Sequence, residues 1–144
     1  MKRKILITGS SGFLGSRLAH HLKDRYDLLL PSHAELNVSR EEAVKAYMEE
    51  HRPEVVIHSA ALSNTWYCEQ HPEESHRVNV QGTVRIAKAC KLVGAKLIFL
   101  SSDQVYNGTH RIRLYRSAWA ERSEKSTYCA YHYYFYDRSA QAER

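Results

Sequence analysis

The chain has 144 residues, a net charge of +5, 43% hydrophobic and 26% charged residues, six Gly and three Pro. That length and apolar fraction suit one globular domain, whereas disordered, collagen-like and low-complexity classes fail on composition. No apolar run approaches a membrane span, and Ile5-Leu6-Ile7 is too short for a signal-peptide core, so a cytoplasmic protein without membrane contact is expected.

Lys4-Ile5-Leu6-Ile7-Thr8 is a short apolar run that reads as a buried parallel strand. Gly9-Ser10-Ser11-Gly12-Phe13-Leu14-Gly15 follows, and then Leu14, Leu18 and Leu22 recur at helical spacing with Ala19 beside them. A glycine turn therefore joins a strand to a helix. In that position Gly9 permits a tight turn, Gly12 leaves no Cβ where a pyrophosphate would approach, and Gly15 lets helix and strand pack closely. Free amides and the dipole at the helix start favour an anion, so the segment is a candidate nucleotide site.

Tyr26–Leu30 reads as a second strand closed by Pro31. An NAD site usually has an acid near its end, but Pro31-Ser32-His33 stands there and Glu35 comes slightly later. The spacing favours NADP and leaves NAD open. Ser39-Arg40-Glu41-Glu42 has the form of a capping box, opening a helix with Ala43, Val44, Tyr47 and Met48 on one face and Pro53 past its end.

Glu54–Ala61 reads as a third strand and its small-residue exit, Pro72–Val93 as a long helix with Val80, Val84, Ala87 and Cys90 on one stripe, and Gly94 as its stop. Lys96–Leu100 is the fourth strand. Strands alternating with helices at this spacing predict an α/β fold, a doubly wound parallel sheet of Rossmann type in the order 3-2-1-4-5-6. Ligands in such sheets bind beyond the carboxyl ends of the strands.

The chain changes character near Thr109. Residues 1–109 hold all the Gly and Pro and carry 14 basic against 12 acidic residues, whereas residues 110–144 carry 7 against 4 and six of the ten Tyr. Arg111, Arg113, Arg116 and Arg122 lie among aromatics there, but no nucleic-acid motif accompanies them, so no nucleic-acid partner is expected. The three cysteines, Cys68, Cys90 and Cys129, form no Cys-x-x-Cys pair and read as reduced thiols, with no metal site.

Thr8-Gly9-x-x-Gly12-x-x-Gly15, His58-x-Ala60-Ala61, Cys68-Glu69-x-x-Pro72, Asn79-Val80-x-Gly82-Thr83 and Ser101-Ser102-Asp103-x-Val105-Tyr106, in that order, resemble the extended short-chain dehydrogenase/reductases. Within them the pattern is most similar to dTDP-4-dehydrorhamnose reductase and its sugar-nucleotide-binding relatives. The resemblance implies an NAD(P)-dependent oxidoreductase that transfers hydride to C4 of a nucleotide-linked keto sugar. It also implies a cofactor site of Gly9, Ser11, Gly12, Phe13, Leu14, Gly15, Asn37, Val38, Ala60, Ala61 and Leu62. Asn37 stands where the family usually has Asp. Asn79 matches a mid-helix Asn that either fixes a neighbouring loop or acts directly, and Ser102 and Asp103 match the catalytic hydroxyl and its acidic neighbour.

The family's proton-donating Tyr with Lys four residues later has no counterpart, because no Tyr in this sequence has Lys at that offset. The expected organisation is therefore a cofactor-binding half, residues 1–109, and an atypical tail, residues 110–144, such as a shifted reading frame would give. A chain so truncated is expected to bind cofactor and turn over little. A non-catalytic nucleotide-binding role, like that of the regulatory subunit of methionine adenosyltransferase in the same family, is the alternative. Ending after the fourth strand would leave Leu97–Leu100 as an apolar edge, open to a second copy of the chain or covered by the aromatic run Tyr128–Tyr136.

Overall fold

In the computed structural model, which describes residues 2–100 and residues 134–135, side-chain alternation along the first strand sets the layers. In β1 (Lys4–Thr8), Leu6 points into one core while Ile5 and Ile7 point into another on the opposite face. Both faces are covered, which is why the strand reads as unbroken apolar sequence.

Helix α1 (Phe13–Leu22) lies on the Ile5/Ile7 face, bringing Ala19, Leu18 and Leu22 against Ile57 and Leu100. Its buried positions are Gly15 and Ala19, whereas Leu14 is 46% exposed, so the packed face is rotated away from Leu14. Strand β2 (Asp27–Leu29) pairs in parallel with β1, Lys4 opposite Asp27 and Leu6 opposite Leu29.

Helix α2 (Glu41–His51) covers the Leu6 face with Val44 and Met48. It begins one residue later than a capping box at Ser39 requires. Its N-cap is Arg40, with no side-chain cap, because the Ser39 amide and hydroxyl both donate to Asn37 Oδ1, at 2.9 and 2.7 Å. The helix ends on Arg52 in the left-handed region, φ 42°, ahead of Pro53.

Strand β3 (Val55–His58) pairs in parallel with β1, from Ile5 opposite Val55 to Thr8 opposite His58. A short helix α3 (Thr65–Gln70), absent from the sequence reading, is capped by Asn64, whose side chain accepts from the Tyr67 amide at 2.9 Å. The expected helix over residues 72–93 is continuous but not uniform: α4 (Pro72–Ser75), a π-helical turn (His76–Gln81) and α5 (Gly82–Val93). Its buried stripe is Ser75, Asn79, Gly82, Ile86, Ala89 and Cys90, while Val80 is 43% exposed. Counting only apolar residues assigns the wrong phase, because the polar Asn79 occupies the inward position. Gly94 closes the helix at φ 75°.

Strand β4 (Lys96–Phe99) pairs in parallel with β3, and β5 (Tyr134–Phe135) adds antiparallel to β4, with Ile98 opposite Phe135 and Phe99 opposite Tyr134. The observed order is β2-β1-β3-β4-β5. This corrects the expected placement of the third strand beyond the second. Residues 30–40 contain no strand, so the chain crosses back over β1 one step earlier, and the reversal of strand order falls between β1 and β3. The edge of β4 is also not bare: Leu97 and Leu100 are buried, and part of the aromatic run covers Ile98 and Phe99.

Candidate functional site

Parallel pairing puts the exits of β1, β2 and β3 at one end of the sheet, and the reversal of strand order falls among them, between β1 and β3. Gly9, at φ 68°, turns the chain directly after β1, and the Gly12 amide donates to the Gly9 carbonyl at 3.0 Å. A Cβ on Gly9 would stand 2.8 Å from the Ala60 backbone, so the glycine turn and the β3 exit are in backbone contact. Ser10 Oγ donates to the Pro31 carbonyl at 3.3 Å, fastening the same turn to the β2 exit.

Gly15 serves the packing that its place in the sequence suggests. A Cβ there would meet Gly9 O at 2.2 Å and Ser10 Cα at 2.9 Å, both backbone. Gly12 differs, since a Cβ there meets only Gly9 O, at 3.2 Å, with open space beyond. It is also the N-cap of α1, with no side-chain cap. Because the first intrahelical bond runs from the Ser16 amide to the Gly12 carbonyl, the amides of Phe13, Leu14 and Gly15 precede every intrahelical acceptor. Three amides at the positive end of a ten-residue helix, beside a glycine that keeps side-chain bulk away, fit a diphosphate. The residues present thus suit a dinucleotide.

The β3 exit is held in shape by Asn79. Its Oδ1 accepts from the Leu62 amide at 2.8 Å and its Nδ2 donates to the Leu62 carbonyl at 2.9 Å, while Cys68 Sγ donates to that carbonyl at 3.4 Å. Of the two roles open to Asn79, these contacts are those of loop fixation. Ser59 Oγ adds a bond to the Thr8 carbonyl at 2.7 Å.

Beneath this loop lies a polar cluster that the sequence reading did not assign. His58 is fully buried, with Nδ1 2.7 Å from Thr8 Oγ1 and Nε2 3.2 Å from Thr83 Oγ1, and its ring stacks on Phe99. Burial pushes its pKa from 6.5 down to about 4, so the imidazole is neutral at physiological pH. A His flanked by apolar strand residues, together with Thr83 four positions after Asn79, is the sequence signal that could have pointed to it.

The remaining expected site residues are spread around this centre. Ser11 and Phe13 are exposed at the turn, Ala60, Ala61 and Leu62 are half-buried along the β3 exit, and Val38 is buried against Gly82, where a Cβ would meet Val38 Cγ2 at 3.1 Å. The Asn37 side chain is engaged by Ser39. Glu35, late by sequence spacing, reaches back to the β2 exit, where its Oε2 accepts from the Ser32 amide at 2.8 Å and the Ser32 hydroxyl at 2.7 Å. Those two bonds hold its carboxyl below the usual carboxylate range. Ser102 and Asp103 lie outside the described residues, as does Cys129. Cys68 and Cys90 are buried, and burial pushes the Cys90 thiol up to about 12. Among the described residues no helix is long and apolar enough to cross a membrane.

The family described as "RmlD substrate binding domain" matches residues 3–132. The chain belongs to this family. Within the RmlD family it is 36% identical over 115 residues to methionine adenosyltransferase 2 subunit beta of Xenopus laevis, covering 74% of this chain and 34% of that protein. It is 37% identical over 106 residues to dTDP-4-dehydrorhamnose reductase of Streptomyces griseus, covering 72% and 34%. Among solved structures, dTDP-4-dehydrorhamnose reductase of Bacillus anthracis in complex with NADP superposes with a TM-score of 0.73 at 32% identity, covering 76% of this chain and 40% of that one. The RmlD-family chain therefore has the reductases' Rossmann-type fold and spans about a third of the length of the curated relatives it matches.

Proposed function

We propose that this chain is the dinucleotide-holding part of an NADP-dependent reductase acting on a nucleotide-linked keto sugar, with hydride delivered to C4. The carrying observation is the glycine turn between β1 and the uncapped start of α1, in backbone contact with Ala60. The amides of Phe13, Leu14 and Gly15 would hold the diphosphate, Gly12 would give it room, and the Ala60–Leu62 backbone, fixed by Asn79, would line the far side. When bound, the nicotinamide supplies hydride. The chain's own contribution to chemistry in this reading is a hydroxyl, Ser102, that hydrogen-bonds the sugar carbonyl beside Asp103. NADP in the Bacillus anthracis structure supports the phosphorylated cofactor.

The proton donor of the family pattern, Tyr with Lys four residues on, has no counterpart in the sequence. Cofactor binding with little turnover is the consequence. Mixing the full chain with NADPH and a dTDP-4-keto sugar tests this. Saturable NADPH binding with negligible oxidation is expected, and steady oxidation would contradict the assignment of residues 110–144 as an atypical tail. That assignment has its own test in the coding DNA: one of the two other frames past codon 109 is expected to encode a Tyr-x-x-x-Lys segment.

A second reading is supported by the similarity to methionine adenosyltransferase 2 subunit beta. There the domain would be a nucleotide-binding regulatory subunit, needing the glycine turn but no proton donor. Co-purification with a partner enzyme, with cofactor bound and none consumed, is its signature. Pairing of two copies through the β4 edge, with the second copy taking the place of β5, is a further proposal, checked by light scattering.

A further inference from the structure

We propose that His58 is a positioning residue of the dinucleotide site, an imidazole protonated on Nε2 that ties the glycine-turn strand, the β3 exit and the π-helical turn together through one directed chain of hydrogen bonds. The proposal rests on the dinucleotide reading given above.

The direction of the chain follows from proton counting. Thr83 Oγ1 lies 2.6 Å from the Asn79 carbonyl, which can only accept, so the single Thr83 hydroxyl proton is committed there. Thr83 Oγ1 must then accept from His58 Nε2, 3.2 Å away, and Nε2 carries the hydrogen. A neutral imidazole has one N–H, so Nδ1 presents a lone pair and the Thr8 hydroxyl, 2.7 Å away, donates to it. Thr8 Oγ1 in turn accepts from the Ala60 amide at 3.3 Å. Each donor meets an acceptor with this one tautomer. The other tautomer turns the Nε2 lone pair toward an oxygen whose proton is already used, on a His58 side chain with no surface open to solvent.

The chain begins at the Ala60 amide and ends at Asn79, whose side chain grips Leu62. Both ends therefore act on the segment that faces Gly9 across a backbone contact. The Thr83 bond to the carbonyl four residues back reaches from α5 into the π-helical turn, so the turn that carries Asn79 inward is fastened to β3 through the same imidazole. His58 touches no cofactor in this scheme. It sets the relative position of the two backbones that do.

Two measurements on the full chain test this. Long-range 15N–1H spectra of the unmodified protein are expected to show His58 protonated on Nε2 and not on Nδ1; the reverse tautomer overturns the proposal without any substitution. NADPH titrations of Thr83→Val are expected to show affinity about tenfold weaker. Thr83→Ser, which keeps the hydroxyl, is expected to bind as the unmodified chain does. The double variant Thr8→Val, Thr83→Val is expected to lose no more than the worse single one, since a chain broken once is broken. If the unmodified chain binds and Thr83→Val binds equally well, this inference alone fails. If the unmodified chain binds neither NADPH nor NADH, the dinucleotide reading fails and takes the proposal with it.

Discussion

Replacing the glycines of the turn one at a time separates packing from ligand binding. At Gly15 a methyl group would sit 2.2 Å from Gly9 O and 2.9 Å from Ser10 Cα, far inside the ordinary contact limit of about 3.4 Å, and neither neighbour is a movable side chain. Forcing a carbon into backbone that tightly costs about 3 kcal/mol or more. For a domain of this size that lowers the melting temperature by roughly 10 °C. At Gly12 the backbone is unstrained, φ −75°, and the nearest atom is Gly9 O at 3.2 Å. Gly12→Ala is therefore expected to cost about 1 kcal/mol or less, mostly the poorer N-cap, yet to abolish measurable NADPH binding because its methyl fills the approach to the helix amides. Thermal melts followed by circular dichroism, with NADPH titration of each variant, check both halves. A Gly12→Ala protein that binds as tightly as the unmodified chain would place the diphosphate elsewhere, and a Gly15→Ala protein that melts at the same temperature would mean that Gly15 does not pack on Gly9.

Asn79→Leu keeps volume but withdraws both bonds to Leu62, and is expected to cost about 2–3 kcal/mol in urea unfolding; a loss under about 0.5 kcal/mol would contradict loop fixation. His58 predicts a pH dependence. Its folded pKa of about 4 lies below 6.5, so the unfolded chain takes up a proton that the folded one refuses as pH falls between those values. The stability lost across that window is about 3 kcal/mol, levelling off below pH 4, and His58→Gln is expected to flatten the curve there. An unchanged slope in the variant would place the titration elsewhere. Glu35→Gln removes the charge clasped at Ser32 by the β2 exit and is expected to shift preference toward NADPH over NADH by roughly threefold, the scale of an exposed charge pair. Competitive titration with the two nucleotides reads it, and an unchanged ratio would put the 2′ group away from Glu35.

The strands and the glycine turn were legible because their signals are local: apolar runs of strand length, and three glycines between a strand and a helix. Strand order was not, since it depends on where the chain crosses back. The absence of a strand between Leu29 and Glu41 shows only once the third strand is seen beside Ile5 and Leu6. Helix phase failed at Val80 for a related reason: Asn79 turns inward because Leu62, seventeen residues earlier, satisfies its amide. Ser39 failed as a cap because Asn37 took its hydroxyl first. The site was visible as glycines and small residues, but the His58 chain was hidden, because each link joins elements at least 25 residues apart or runs along a turn of unexpected type.

Amide chemical-shift mapping during titration with NADPH, and separately NADH, tests the central claim most directly. Saturable shifts are expected, concentrated at Gly9–Gly15 and Ala60–Leu62 and led by the amides of Phe13, Leu14 and Gly15. No shift with either nucleotide, or shifts centred at the opposite end of the sheet around Arg52 and Lys96, would contradict it.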